Sequence, residues 1–321
     1  MKDLESLTAE DLVARRKSVN KPVEKKHSDS TAIYVPIELS SVGKLGLPAL
    51  IHVRDYSYTD ALKLASATTA RDMVKALVEV IDNITEEELD LSKLTSQDVL
   101  EILMTVQGTW YSPIMEFPYY VDETLPADKK NEKSNISKAT IQINSIVTKP
   151  FPEGRKVPME VTMDNGFTAV VDIPRFYNEV IVGQYIDLKY AELDNKMDLI
   201  NAKIKKNTNS VEEYRQYMEY KEQKASDLIK ATQAIQIISV NGKELKTLEE
   251  RIKAMDDFPL RAWSAVVSYI QEDLEFGVVP DMTFNCTVTG KTITRRFPFR
   301  ILDFIPTVES FNSSGDSVSI C

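Results

Sequence analysis

From Ile186 the residues Ile186, Tyr190, Leu193, Met197, Ile200 and Ile204 recur at spacings of 4, 3, 4, 3 and 4, a heptad run that only an α-helix turns to one side. After Asn207-Thr208-Asn209-Ser210 the pattern resumes at Val211, Tyr214 and Met218 and continues to Ala225 and Leu228. Ser210 and Glu213 have the spacing of a capping box, which marks the start of the second run. Two such runs of similar length joined by a short polar loop predict an antiparallel helical hairpin over 181–234. Nine basic and nine acidic side chains balance between Ile186 and Ala231, and Lys221 interrupts the seam of the second helix. A projecting arm of this kind either meets a partner subunit, through Tyr190, Met197, Tyr214 and Met218, or packs against its own domain.

The flanking sequence alternates between strand and helix signals. Ile33–Leu39 and Ala49–Arg54 are apolar and β-branched, with a Ser/Gly/Pro-bearing loop between them, and predict a hairpin. Helix signals follow at Thr59-Asp60, at the box-like Thr69…Asp72 with its stripe Met73, Leu77, Val80 and Ile84, and at Thr95…Asp98. Residues 109–158 lose this rhythm: the aromatic stretch from Trp110 to Tyr120 gives way to the polar run Pro126–Asn135, and the reading is a loop-rich connection. Met159–Met163, the turn Asp164-Asn165-Gly166 and Phe167–Val171 predict a second hairpin. Ile235–Val240 reads as a strand, Thr247…Glu250 as the cap of a short helix, and Pro259 as the start of a longer one burying Trp263, Val266, Val267 and Ile270. Met282–Gly290 and Lys291–Phe299 predict a closing strand pair.

The expected class is α+β: β-hairpin units with packed helices and a projecting antiparallel helical hairpin. The expected divisions are a polar N-terminal arm (1–30), a hairpin-plus-helices domain (31–108), the loop-rich connection (109–158), a central β unit (159–180), the helical arm (181–234), C-terminal helices and strand pair (235–308) and a polar tail (309–321).

The inventory of reactive side chains is short. The 321 residues include two histidines, His27 and His52, and two cysteines, Cys286 and Cys321, too few for most His- or Cys-centred sites. Gly43-Lys44, Gly242-Lys243 and Gly290-Lys291 each lack the preceding glycine of a phosphate-binding loop. The acidic runs Glu86-Glu87-Glu88 and Asp256-Asp257 match no ion-binding loop, and acid at a helix start is the simpler reading. His52, between Ile51 and Val53 on a strand, reads as a surface or interstrand residue. No catalytic residue, cofactor or metal is therefore expected. A net charge of −10 disfavours nucleic acid as a partner, and no apolar run reaches the ~20 residues of a membrane span. An acidic N-terminus and two distant cysteines suggest a reducing, intracellular compartment.

One segment runs against the acidic balance. Met282–Leu302 carries Lys291, Arg295, Arg296 and Arg300 and no acid, which makes it a candidate docking patch. The plainer reading is surface charge that keeps an edge hairpin from aggregating.

Ile33-Tyr-Val-Pro-Ile-Glu-Leu-Ser-Ser-Val-Gly-Lys44 and Ile51-His-Val-Arg-Asp-Tyr-Ser-Tyr-Thr-Asp60 resemble the extended segment, short turn, strand and Tyr-Thr-Asp helix start of baseplate hub and tail assembly proteins of contractile-tailed (T-even-like) bacteriophages. The other end is similar to the family's Cys-x-x-Cys-Gly strand pair with a closing aromatic, here Phe284-Asn-Cys286-Thr-Val-Thr289-Gly290 and Pro298–Phe304. Thr289 stands at the second cysteine position, so the resemblance implies no metal knuckle. It covers about a third of the chain and leaves the helical arm unaccounted for.

The resemblance implies a structural subunit of a phage tail baseplate or hub, made in the host cytoplasm and resident in the virion. Such a subunit acts through contacts with other tail subunits in a homo- or hetero-oligomer, without catalysis. Two alternatives stand beside it: a tail assembly chaperone that holds hub or tape-measure protein transiently, and a carboxylate-based cell-wall hydrolase.

Overall fold

The computed structural model describes residues 32–126, 129, 131–297 and 299–305. The arm expected at 1–30 and the tail at 309–321 lie outside these. In chain order the elements are β1 (Val35–Glu38), β2 (Leu50–Val53), α1 (Tyr58–Ala65), α2 (Ala70–Ile84), α3 (Ser96–Val106), β3 (Ile114–Tyr120), β4 (Ile136–Gln142), β5 (Thr148–Lys149), β6 (Met159–Thr162), β7 (Thr168–Val171), α4 (Asn178–Lys205), α5 (Val211–Ala234), β8 (Ile237–Val240), β9 (Lys243–Glu244), α6 (Leu248–Asp256), α7 (Leu260–Ser268), β10 (Gly277–Val278), β11 (Asp281–Asn285) and β12 (Thr292–Arg296). Helices and small antiparallel sheets alternate without a parallel crossover among the described residues, so the class is α+β. No helix among these residues is long and apolar enough to cross a membrane. The chain forms two compact units, one from residues 32–68, 76–155 and 274–305, the other from residues 69–75 and 156–273.

In the first unit β1 and β2 pair antiparallel, with Val35 opposite Val53 and Glu38 opposite Leu50. Their buried residues Ile37, Ile51 and Val53 share a core with Leu77, Val78, Val80, Ile81 and Ile84 of α2 and with Val99, Ile102, Leu103 and Val106 of α3. The helix after β2 is capped two residues earlier than expected, because Ser57 rather than Thr59 is the N-cap and Asp60 closes its capping box. Thr95 and Asp98 form the box that starts α3. The acidic run Glu86–Glu88 follows the end of α2 instead of opening a helix, so the helix-start explanation of its charge does not hold.

The connection expected to be loop-rich contains a regular hairpin. β3 and β4 are seven residues each and pair from Ile114–Gln142 to Tyr120–Ile136. Pro118 obscured it, but in a two-stranded sheet each strand is an edge, where proline is tolerated. Phe117 packs against Phe297 and Phe299 with ring centroids 5.2 and 5.4 Å apart, and Tyr119 meets Phe284 edge-on at 4.9 Å. The aromatic stretch is thus the inner face of β3 against the β11–β12 pair.

In the second unit β6, β7, β8 and β9 form one antiparallel sheet in that order, so the strand after the helical hairpin returns to the hairpin before it. The β6–β7 turn is closed by Gly166 at φ 86°, a conformation that favours glycine. α7 packs on β6 and passes into a π-helical turn over Tyr269–Asp273. Trp263, expected to be buried, is half-buried and meets Phe258 edge-on.

α4 and α5 are 28 and 24 residues long, about 42 and 36 Å at 1.5 Å per residue, and pack against each other as the expected antiparallel hairpin. Its base is anchored by Val182, Ile186 and Tyr190 of α4 with Ala231, Ile235 and Leu248.

Candidate functional site

On α4 the heptad positions Ile186, Tyr190, Met197 and Ile200 are buried, whereas Leu193 is exposed and Asp194 takes the inward place. On α5 the inward line is Glu213, Tyr217, Tyr220, Lys224, Asp227, Ala231 and Ala234, not the expected apolar run. A polar ladder joins the helices. Lys203 pairs with Glu213, and Asp194 accepts from Tyr220 Oη and from Lys224 Nζ, the latter at 2.7 Å. Nearer the base, Asp227 Oδ2 accepts from Lys189 Nζ and from Tyr190 Oη, each at 2.6 Å.

The ladder shifts the groups that build it. The bonds from Lys224 and Tyr220 hold the Asp194 carboxyl below its usual range. Burial raises Asp227, but the bonds from Lys189 and Tyr190 outweigh it and leave that carboxyl lowered as well. Burial, and then the bond to Asp227, push the Tyr190 phenol up. Lys224 Nζ also lies 5.5 Å from the Tyr190 ring centroid, in cation–π range.

The rotation of α5 follows from its base. Ala231 and Ala234 are fully buried, and only such small side chains let the helix approach its neighbours closely there. With that end set, the apolar heptad faces outward: Val211 is 88% exposed, Tyr214 49%, Met218 36% and Leu228 43%, Ala225 is exposed with them, and Ile229, beside Leu228, is 60% exposed. The spacing still follows a coiled-coil seam, with Lys221 in the position between Met218 and Ala225. The outer side of α5 is therefore a second helical seam with no partner among the described residues.

No family model, curated protein or solved structure matches this chain.

The structure distributes the sequence-derived site residues unevenly. Tyr190 and Met197 are buried inside the helical hairpin, whereas Tyr214 and Met218 stand together on the outer seam. Lys291 is exposed beside the β11–β12 turn. Arg295 directs its guanidinium to the carbonyls of Tyr120 and Val121 and pairs with Glu123 at 3.3 Å. Arg296, next along β12, is exposed on the opposite face of the ribbon, with Asp281 as its cross-strand neighbour. Arg300 pairs with Asp303 at 2.7 Å. The four cations do not converge, since Glu123, far away in the chain, and Asp303, just outside the acid-free segment, take two of them.

Cys286 is buried beneath this hairpin. Its Sγ accepts from Tyr119 Oη at 3.2 Å and from the Thr289 N–H at 3.4 Å, and the Thr289 side chain first, then the Tyr119 hydroxyl, pull the thiol down to about 7. Thr289 thus contributes a backbone donor to the turn. The sequence offered no sign of the polar ladder, because Asp194 meets Lys224 and Asp227 meets Lys189 only once the helices are antiparallel and in register.

Proposed function

We propose that this chain is a structural subunit acting through protein–protein contacts without catalysis, and that it docks a helix of a neighbouring subunit along the outer seam of α5. The observation that carries this reading is the unpartnered heptad from Val211 to Leu228. Four large apolar side chains, Val211, Tyr214, Met218 and Leu228, are held in seam spacing, with Ile229 beside them, on a helix whose inward face is already pinned by ion pairs. Burying a large apolar side chain contributes about 1.5–3 kcal/mol, so a row of this length can offset the ordering cost of association. The fitting occupant is an amphipathic helix with an apolar seam and an acidic residue opposite Lys221, which otherwise enters the interface uncompensated.

The resemblance of the two ends to contractile-phage hub and tail proteins supports a more specific reading, in which the assembly is a tail baseplate or hub and the neighbours are its other subunits. Purified virions tested by mass spectrometry and crosslinking would contain the chain, with crosslinks from Lys221 to a neighbouring subunit. The double variant Met218→Glu/Ile229→Glu would keep its circular dichroism spectrum and be lost from particles. A chain present in infected-cell lysate but missing from finished particles would point to transient assembly instead. Normal incorporation of the double variant would exclude the α5 seam as the docking face.

A further inference from the structure

His52, on β2, is brought to the acidic run behind α2 by main-chain pairing. The Glu86 N–H donates to the His52 carbonyl at 2.9 Å, Val53 and Thr85 form a β-bridge, and the Arg54 N–H donates to the Ile84 carbonyl at 2.9 Å. Glu87 is fixed twice over, with Oε2 accepting the His52 N–H at 2.8 Å and Oε1 2.6 Å from His52 Nδ1. Glu86 Oε2 lies 3.9 Å from the same nitrogen, and all three ligand-type atoms fall within 4.8 Å of one another. One imidazole and two carboxylates on different side chains are therefore gathered at one place, with His52 and Glu87 bonded to each other and Glu86 beside them.

The location favours a cation. Glu86 and Glu87 follow directly on the carbonyl end of α2, where the helix dipole already presents negative charge. Arg54, two residues on from His52, directs its guanidinium to the Asn83 carbonyl at 3.0 Å and to Asp60 at 3.6 Å. The side chains of His52 and Glu86 are partly exposed, so an ion can reach them from solvent.

We propose that His52 Nδ1, Glu86 and Glu87 bind one first-row divalent cation of the Zn²⁺ type. Two carboxylates alone would suit Mg²⁺ or Ca²⁺, which take all-oxygen shells, whereas an imidazole in the set selects a borderline transition metal. Zn²⁺ sits about 2.0–2.2 Å from nitrogen and carboxylate oxygen. The ion replaces the proton shared by Nδ1 and Glu87, that pair opens to admit it, and water completes the shell. The bound ion ties β2 to the segment after α2.

Isothermal titration of the full-length chain with Zn²⁺ tests this, with Co²⁺ absorption reporting the geometry. One equivalent should bind to the wild type and to His27→Ala, and His52→Asn and Glu86→Gln should each weaken binding at least tenfold. Glu86→Gln retains the His52–Glu87 bond, so its fold, checked by circular dichroism, should be unchanged. Mg²⁺ in large excess should not displace the Zn²⁺. A wild type that binds no Zn²⁺, or affinity unchanged in His52→Asn and Glu86→Gln, would overturn the proposal. The proposed α5 docking would be untouched by either result.

Discussion

Tyr190 of α4 donates its hydroxyl to Asp227 of α5 at 2.6 Å from inside the helical hairpin, and Lys189 donates to the same carboxylate oxygen. Because Tyr190 is buried, its hydroxyl has no ready replacement for this acceptor. Asp227→Ala should therefore cost about 1–3 kcal/mol, and Tyr190→Phe, which removes donor and demand together, less than that. Urea denaturation of the two variants checks the order. Equal costs would mean that the bond does not hold the helices together.

The same ladder gives the hairpin a pH dependence with a defined sign. Asp194 and Asp227 have depressed pKa values in the folded chain, so between the folded and unfolded values the unfolded chain binds more protons. Their contribution is fully present above the unfolded value of about 4 and is lost as the pH falls through the folded values. The melting temperature should drop as the pH falls from about 5 to about 2, and Asp194→Asn/Asp227→Asn should show a smaller drop over that range. An identical drop would place the acid sensitivity elsewhere.

How far the sequence could be read depended on whether a residue's partner was nearby in the chain. The boxes at Thr95–Asp98, Ser210–Glu213 and Thr247–Glu250 were legible because each closes within one turn. The α4 stripe was legible except at Leu193, whose inward place Asp194 takes. α5 carries two usable faces, and the choice between them rests on Ala231 and Ala234 at the base, which no heptad count weighs. The β3–β4 hairpin had a signal in the alternation of Ile136–Gln142, masked by Pro118 in the opposite strand. The pairings of Arg295 with Glu123 and of His52 with Glu87 join residues 172 and 35 positions apart and left no trace in local pattern.

A buried carboxylate in the first unit makes a further case. Glu101 of α3 accepts the Ser40 N–H at 2.8 Å and the Ser40 hydroxyl, and burial raises its pKa despite those bonds. Glu101→Gln keeps an acceptor and removes a charge that burial disfavours, whereas Glu101→Ala leaves the Ser40 N–H unsatisfied. The alanine variant should lose about 1–3 kcal/mol and the glutamine variant distinctly less. Thermal melts at pH 7 compare them, and an alanine variant as stable as the glutamine one would count against the Ser40 contact.

The two sides of the helical hairpin should respond oppositely to mutation. Ile186 and Ile200 are buried in α4, and truncating either to alanine removes packed methylenes and leaves a cavity, at about 2–5 kcal/mol each. Val211 and Met218 belong to the heptad pattern by sequence and Ile229 adjoins it, but all three touch water, so serine at any of them should change the stability of the isolated chain by no more than about 0.5 kcal/mol. Chemical denaturation of the five single variants separates the sets. If the outer substitutions cost as much as the inner ones, α5 buries its apolar heptad against its own chain, and the docking seam does not exist. If they cost nothing alone but abolish association with a partner, the stability of the arm and its binding reside on different faces of one helix.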